Sequence, residues 1–145
     1  MHHHPLEIII VEDDPNDYEI TTRILKRRGM AGNVIWLHDG EQALEHCAVL
    51  REQTAREGKR IPRIIILDIK LPKVLGFEVL KKIKEDPALQ YIPVIIFSSS
   101  NQERDLITAA QYHANSYIVK PVDYEAYAQC IDEMITYWMF VHKFS

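Results

Sequence analysis

The sequence predicts an α/β protein: a doubly wound, five-stranded parallel sheet with helices on both faces. Three observations lead there. The best strand candidates, Ile8-Ile9-Ile10-Val11 and Ile64-Ile65-Ile66-Leu67, are continuous apolar runs, and a strand apolar on both sides is one covered on both faces. Strand and helix patterns alternate five times with short connections, which implies right-handed crossovers. Both runs also end in carboxylates, Glu12-Asp13 after the first and Asp68 after the second. In such sheets ligands bind where strands emerge at their carboxyl ends.

Each element has its own signal. The first strand is expected over Glu7 to Val11. Asp14-Pro15 then opens a helix to about Arg28, with Ile20, Ile24 and Leu25 on one face and Gly29 as the stop. A second strand follows over Asn33 to Leu37, and Asp39-Gly40 turns the chain into a long helix from Glu41 to about Glu57. The last part of that helix (Arg51, Glu52, Gln53, Arg56, Glu57) is polar enough to project into solvent. Arg63 to Asp68 is the third strand, and a helix from about Gly76 to Glu85 stops before Pro87. Pro93 to Ser98 is the fourth strand, Ser99-Ser100-Asn101 a loop and cap, and Gln102 to Tyr112 the next helix. Ser116 to Val119 is the fifth strand, ended by Lys120-Pro121, and Asp123 caps a final helix to about His142.

Composition fits one domain. A chain of 145 residues, 47% hydrophobic and 26% charged, can bury a real core and has no surplus for a second. A net charge of −4 provides no basic field for nucleic acid. The one clear basic run, Lys26-Arg27-Arg28, closes a helix, where cations complement the dipole. Cys47 and Cys130 lack metal-type spacing and suit reduced thiols with packing or surface roles. No segment reaches the roughly 20 apolar residues of a membrane span, and no signal pattern opens the chain, so a cytoplasmic protein is expected. His2-His3-His4 reads as a tag remnant, which leaves residues 1–6 outside the fold and 7–145 as a single domain with no output domain.

Four motifs in order carry a resemblance over nearly the whole chain, from Ile8 to about Trp138. They are Val11-Glu12-Asp13-Asp14, Leu67-Asp68-Ile69-Lys70-Leu71-Pro72, Ser98, and Tyr117-Ile118-Val119-Lys120-Pro121. The chain resembles a response-regulator receiver domain, the phosphoacceptor half of a two-component pair. The resemblance implies the flavodoxin-like strand order 2-1-3-4-5. A closer likeness, to the stand-alone regulators that partner cyanobacterial and bacterial phytochromes, rests on the long second helix, the stretch Lys82-Ile83-Lys84-Glu85-Asp86-Pro87, and the aromatic end Ile135-Thr136-Tyr137-Trp138.

A carboxylate attacking a phosphoryl group works against its own charge and the donor's, so a divalent cation is the natural remedy. The resemblance implies Asp68 as phosphoacceptor. It implies Mg²⁺, with Mn²⁺ as an alternative, held by Glu12, Asp13, Asp68 and the backbone carbonyl of Lys70, while Asp14 serves as a helix cap. Lys120 would meet the phosphoryl oxygens, aimed by a cis bond at Pro121, and Ser98 with the backbone N–H of Ser99 would donate hydrogen bonds to them. Tyr117 would rotate inward as Ser98 moves, coupling Asp68 to the surface of the fourth helix, fifth strand and fifth helix. Some positions depart from the family's habit: Val74-Leu75 make the loop after Asp68 apolar, Ser98 stands where many members have Thr, and Lys70 and Ser100 occupy positions that tune the acyl phosphate's lifetime.

In the last helix Tyr127, Ile131, Met134 and Trp138 form one stripe that explains docking on the sheet. Tyr137, Met139, Phe140, Val141 and Phe144 overflow it, so a homodimer through this helix is expected, with Tyr137, Phe140 or Phe144 touching the partner. The expected function is a phosphorylation-controlled interaction module served by a sensor histidine kinase, for which the closer likeness implies a phytochrome. Neither nucleic acid nor membrane is expected as a partner, and the chain is read as a phosphoacceptor rather than an enzyme. Two alternatives remain. A Mg²⁺-dependent phosphohydrolase also uses a strand-end Asp, but typically has a second Asp two residues on, where this chain has Lys70. A flavodoxin-like cofactor binder would need a loop less acidic than Glu12-Asp13-Asp14-Pro15-Asn16.

Overall fold

The computed structural model describes residues 6–59 and 63–143. Among them, five strands pair in one parallel sheet: β1 (Glu7–Val11), β2 (Val34–Leu37), β3 (Arg63–Leu67), β4 (Val94–Ser98) and β5 (Ser116–Val119), in the spatial order β2-β1-β3-β4-β5. Five α-helices alternate with them: α1 (Pro15–Arg27), α2 (Gly40–Glu57), α3 (Gly76–Glu85), α4 (Glu103–Gln111) and α5 (Tyr124–Thr136). The expected fold class and strand order are both found.

The sheet divides its side chains by the period-two rule. Ile9, Val11, Ile65, Leu67, Val94 and Ile96 pack on one side beneath α2, α3 and α4. Ile8, Ile10, Ile64, Ile66, Ile95 and Phe97 pack on the other beneath α1 and α5. Full burial of one such side chain contributes roughly 1.5–3 kcal/mol, so the central strands β1, β3 and β4 are the stable frame on which the carboxyl edge is mounted. Successive strands diverge at β1, with β2 to one side and β3 to the other. Between β1 and β3 lies the crevice that such a reversal creates.

Some boundaries differ from expectation for local reasons. Asn33 belongs to a 3₁₀ turn (Ala31–Asn33), its N–H donating to the Met30 carbonyl, so β2 begins one residue later. The polar tail of α2 is largely exposed as expected, yet Arg51 reaches across to Asp86 beyond α3, at 2.7 Å. The last helix stays α-helical only to Thr136 and then widens into a π-helical turn over Tyr137–Val141. Tyr127, Ile131, Met134 and Trp138 are all buried, as the stripe requires. Cys47 is buried and free, and burial pushes its thiol up to about 11.

Candidate functional site

The carboxyl ends of β1, β3 and β5 bring four of the sequence's candidates together. Glu12 follows β1, its N–H donating to the Leu37 carbonyl of β2 at 3.0 Å. Asp68 follows β3, its N–H donating to the Val11 carbonyl at 3.1 Å. Carboxylate oxygens of Glu12, Asp13 and Asp68 lie within 4.8 Å of one another, with Glu12 and Asp68 buried and Asp13 exposed. Lys120, one residue past β5, extends its ammonium into this group and donates to Glu12, to Asp68 at 2.9 Å and to Asp17 at 2.8 Å. Its side chain is only 7% exposed.

Charge in this pocket is unbalanced. One ammonium faces the carboxylates of Glu12, Asp13, Asp17 and Asp68. Burial opposes the Lys120 charge, but Asp68, Glu12 and Asp17 outweigh it and hold the group well above the usual lysine range. Burial raises Glu12 to about 7 despite the neighbouring ammonium. A pocket whose burial works against the charge of Glu12, with three carboxylate oxygens converging from the β1–α1 and β3–α3 loops, matches the oxygen-only preference of Mg²⁺ and related hard cations. The donor set Glu12, Asp13 and Asp68 therefore fits such an ion.

The remaining candidates divide between the loops and strand ends of this edge and the far end of the last helix. The Lys70 N–H donates to Asp68 Oδ1 at 3.0 Å, which braces the loop after β3, while the Lys70 side chain points outward to solvent. Ser98 is fully buried at the end of β4 and its hydroxyl accepts from the Ser100 N–H at 3.3 Å. Ser99 is exposed at the start of the next loop. Tyr117, half-buried on β5, donates its hydroxyl to the Ser100 carbonyl at 2.8 Å. Pro121 follows Lys120 directly and is half-buried. Asp14 caps α1, accepting from Asn16 N–H at 2.8 Å and Asp17 N–H at 3.4 Å, the role expected for it. Tyr137 and Phe140 lie away from this edge, at 46% and 70% exposure on the last turns of the chain. Phe144 lies outside the described residues.

Three features of the edge were not anticipated from sequence. Asp17 is the third partner of Lys120; its position within the first turn of α1, at the same sheet edge, was the available signal. Ser100 donates its hydroxyl to Asp105 of α4 at 2.5 Å, joining the loop that carries Ser98 to that helix. Trp36 donates its indole N–H to the Glu12 carbonyl at 2.8 Å.

The profile of the family described as "Response regulator receiver domain" matches residues 8–132. The chain belongs to this family. Receiver domains are the signalling phosphoacceptors of two-component systems and bind Mg²⁺ in an acidic pocket. This receiver domain is 37% identical to the probable methanogenesis regulatory protein FilR2 of Methanothrix harundinacea, over 93% of this chain and 84% of the relative. It is 33% identical to the response regulator Rcp1 of Synechocystis sp., over 93% of this chain and 90% of that one. Among solved structures, the phosphorylated cyanobacterial phytochrome response regulator RcpA superposes with a TM-score of 0.81 at 31% identity, covering 97% of this chain and 98% of that one. The Mn²⁺-bound form of Rcp1 superposes with a TM-score of 0.80 at 30% identity, covering 97% and 99%. Relatives of this receiver domain thus include stand-alone phytochrome response regulators. Among the described residues, no helix is long and apolar enough to cross a membrane.

Proposed function

We propose that this receiver domain accepts a phosphoryl group from a sensor histidine kinase on Asp68, with Mg²⁺ held by Glu12, Asp13, Asp68 and the Lys70 carbonyl. The observation that carries the reading is the convergence of Asp68 with Glu12, Asp13 and the buried Lys120 ammonium at one sheet edge. The bound ion would neutralise the repulsion between Asp68 and an incoming phosphoryl group. Lys120, already hydrogen-bonded to Asp68 Oδ2, supplies a compact cation that can follow a phosphoryl oxygen as the bond to Asp68 forms. Ser98 offers its hydroxyl and Ser99 its N–H from the end of β4.

Signal leaves the pocket through the β4–α4 loop. A Ser98 hydroxyl drawn toward Asp68 gives up its bond from the Ser100 N–H, and the Ser100 carbonyl that holds the Tyr117 hydroxyl shifts with the same loop. Tyr117 then changes its position on β5, and the α4-β5-α5 surface changes with it. The likeness to RcpA and Rcp1 supports a phytochrome-type kinase as donor and a cytoplasmic location for this chain. The exposed Tyr137 and Phe140 support a homodimer through α5 and its π-helical end.

Intact-mass spectrometry after incubation with acetyl phosphate and Mg²⁺ tests the assignment. The wild-type chain should gain one phosphoryl group, Asp68→Asn none, and Asp13→Ala or excess chelator should slow uptake at least about tenfold. A stable adduct on Asp68→Asn would remove Asp68 from its role.

A further inference from the structure

Asp13 is the odd member of the acidic set. It is exposed, and among the described residues neither a hydrogen bond nor an ion pair holds its carboxylate, whereas Glu12 and Asp68 are both bonded to Lys120. Its direction is set by the backbone that carries it, and above all by the peptide unit joining Glu12 to Asp13. The oxygen of that peptide unit is the Glu12 carbonyl. It lies just past the end of β1, and it receives the Trp36 indole N–H at 2.8 Å.

Trp36 is itself fixed. It pairs with Ile10 in the β1–β2 register. Its ring lies between Tyr18 of α1, at 3.7 Å between centroids and 7° between planes, and His38 after β2, at 3.8 Å and 25°. A ring sandwiched in this way has little freedom to leave its acceptor. Glu12 is therefore held at both ends of its backbone, with its N–H on the Leu37 carbonyl and its carbonyl on Trp36.

We propose that Trp36 is a positioning residue for the divalent-cation site: its indole N–H fixes the Glu12–Asp13 peptide plane so that the unbraced Asp13 carboxylate converges with Glu12 and Asp68. This rests on the reading of those three carboxylates as cation ligands. Groups that orient ligands commonly change metal affinity by 10-fold or more. Phe in place of Trp36 keeps a ring in the stack and removes only the donor.

The test is direct Mn²⁺ binding to the unphosphorylated chain, read from the loss of the free-ion paramagnetic resonance signal. Trp36→Phe should bind Mn²⁺ about tenfold more weakly than wild type while Tyr18→Leu, which leaves the donor in place, changes affinity less. Equal affinity in wild type and folded Trp36→Phe would overturn the proposal and leave the cation site intact. Absence of Mn²⁺ binding by the wild type, or undiminished binding by Asp13→Ala, would instead overturn the cation-site reading on which it rests. A second measurement needs no substitution: in the wild-type chain the Trp36 indole proton should exchange slowly with solvent and shift its nuclear magnetic resonance position when Mg²⁺ is added. Rapid exchange, or a resonance indifferent to an ion that binds, would contradict the proposal.

Discussion

Gly76 and Cys47 show how single positions constrain the site and the core. A Cβ on Gly76 would overlap the Asp68 carbonyl oxygen and the Ile69 Cα, both backbone atoms that cannot swing aside. Gly76→Ala should therefore cost about 1–3 kcal/mol in chemical denaturation, the usual range for overpacking. It should also slow phosphoryl uptake, because the displaced segment carries Asp68. Cys47 lines the core beneath α2 with its thiol raised by burial from 9.0 to about 11. The folded chain then holds this proton more tightly than the unfolded one, so stability is fully present below pH 9 and falls as pH rises towards 11, by up to about 2 kcal/mol. Urea midpoints measured from pH 8 to 11 should fall less steeply in Cys47→Val than in wild type. The same residues show what sequence can disclose. Asp68, Asp13, Glu12 and Lys120 are legible because each stands at the end of an apolar run, where a parallel sheet presents its chemistry. Asp17 was marked only by its place at the start of α1 and Trp36 by nothing local, since their partners Lys120 and Glu12 are distant in sequence.

Strand β3 shows the same contrast at the scale of an element. Its Ile run made it legible, but Arg63 read only as its first residue. The Arg63 side chain is in fact wholly buried, its Nε donating to Glu7 of β1 at 2.7 Å, with Gln53 of α2 at 3.5 Å. A buried cation is tolerable only with its partner, so Glu7→Ala should destabilise the fold by about 2–4 kcal/mol, whereas a neutral Met at 63 together with Ala at 7 should recover much of the loss. A double-mutant cycle in urea measures both. Element ends were the least legible, because hydrogen bonds outside the hydrophobic pattern set them. The Met30 carbonyl takes Asn33 out of β2, and the end of α5 relaxes into wider π-helical turns where aromatic residues crowd Tyr137 to Val141.

For the whole molecule, the pocket and the exposed aromatic end of the last helix lie on different parts of the fold. Tyr137 packs its ring edge on Trp138, yet both it and Phe140 remain exposed. If they form the twofold interface proposed above, Tyr137→Ser with Phe140→Ser should shift the chain from dimer to monomer in sedimentation velocity, while phosphoryl uptake at Asp68 continues. A wild-type monomer at high concentration, phosphorylated or not, would leave these aromatics without that role. The overall architecture was legible in full, since alternating strands and helices admit few topologies. The proposed twofold assembly rests on an excess of apolar residues beyond one helical stripe, exposed at Tyr137 and Phe140.

The central claim is that Asp68, between Glu12-Asp13 and Lys120, receives the phosphoryl group. Its most direct test is borohydride trapping of the acyl phosphate formed from acetyl phosphate and Mg²⁺, which reduces the modified aspartate to homoserine, followed by peptide sequencing in a mass spectrometer. Homoserine should appear at position 68, and none should form in Asp68→Asn or in chelator. Homoserine at Asp13 or Asp17 with Asp68 unchanged, or a phosphoryl group retained by a residue that borohydride does not reduce, would contradict the account.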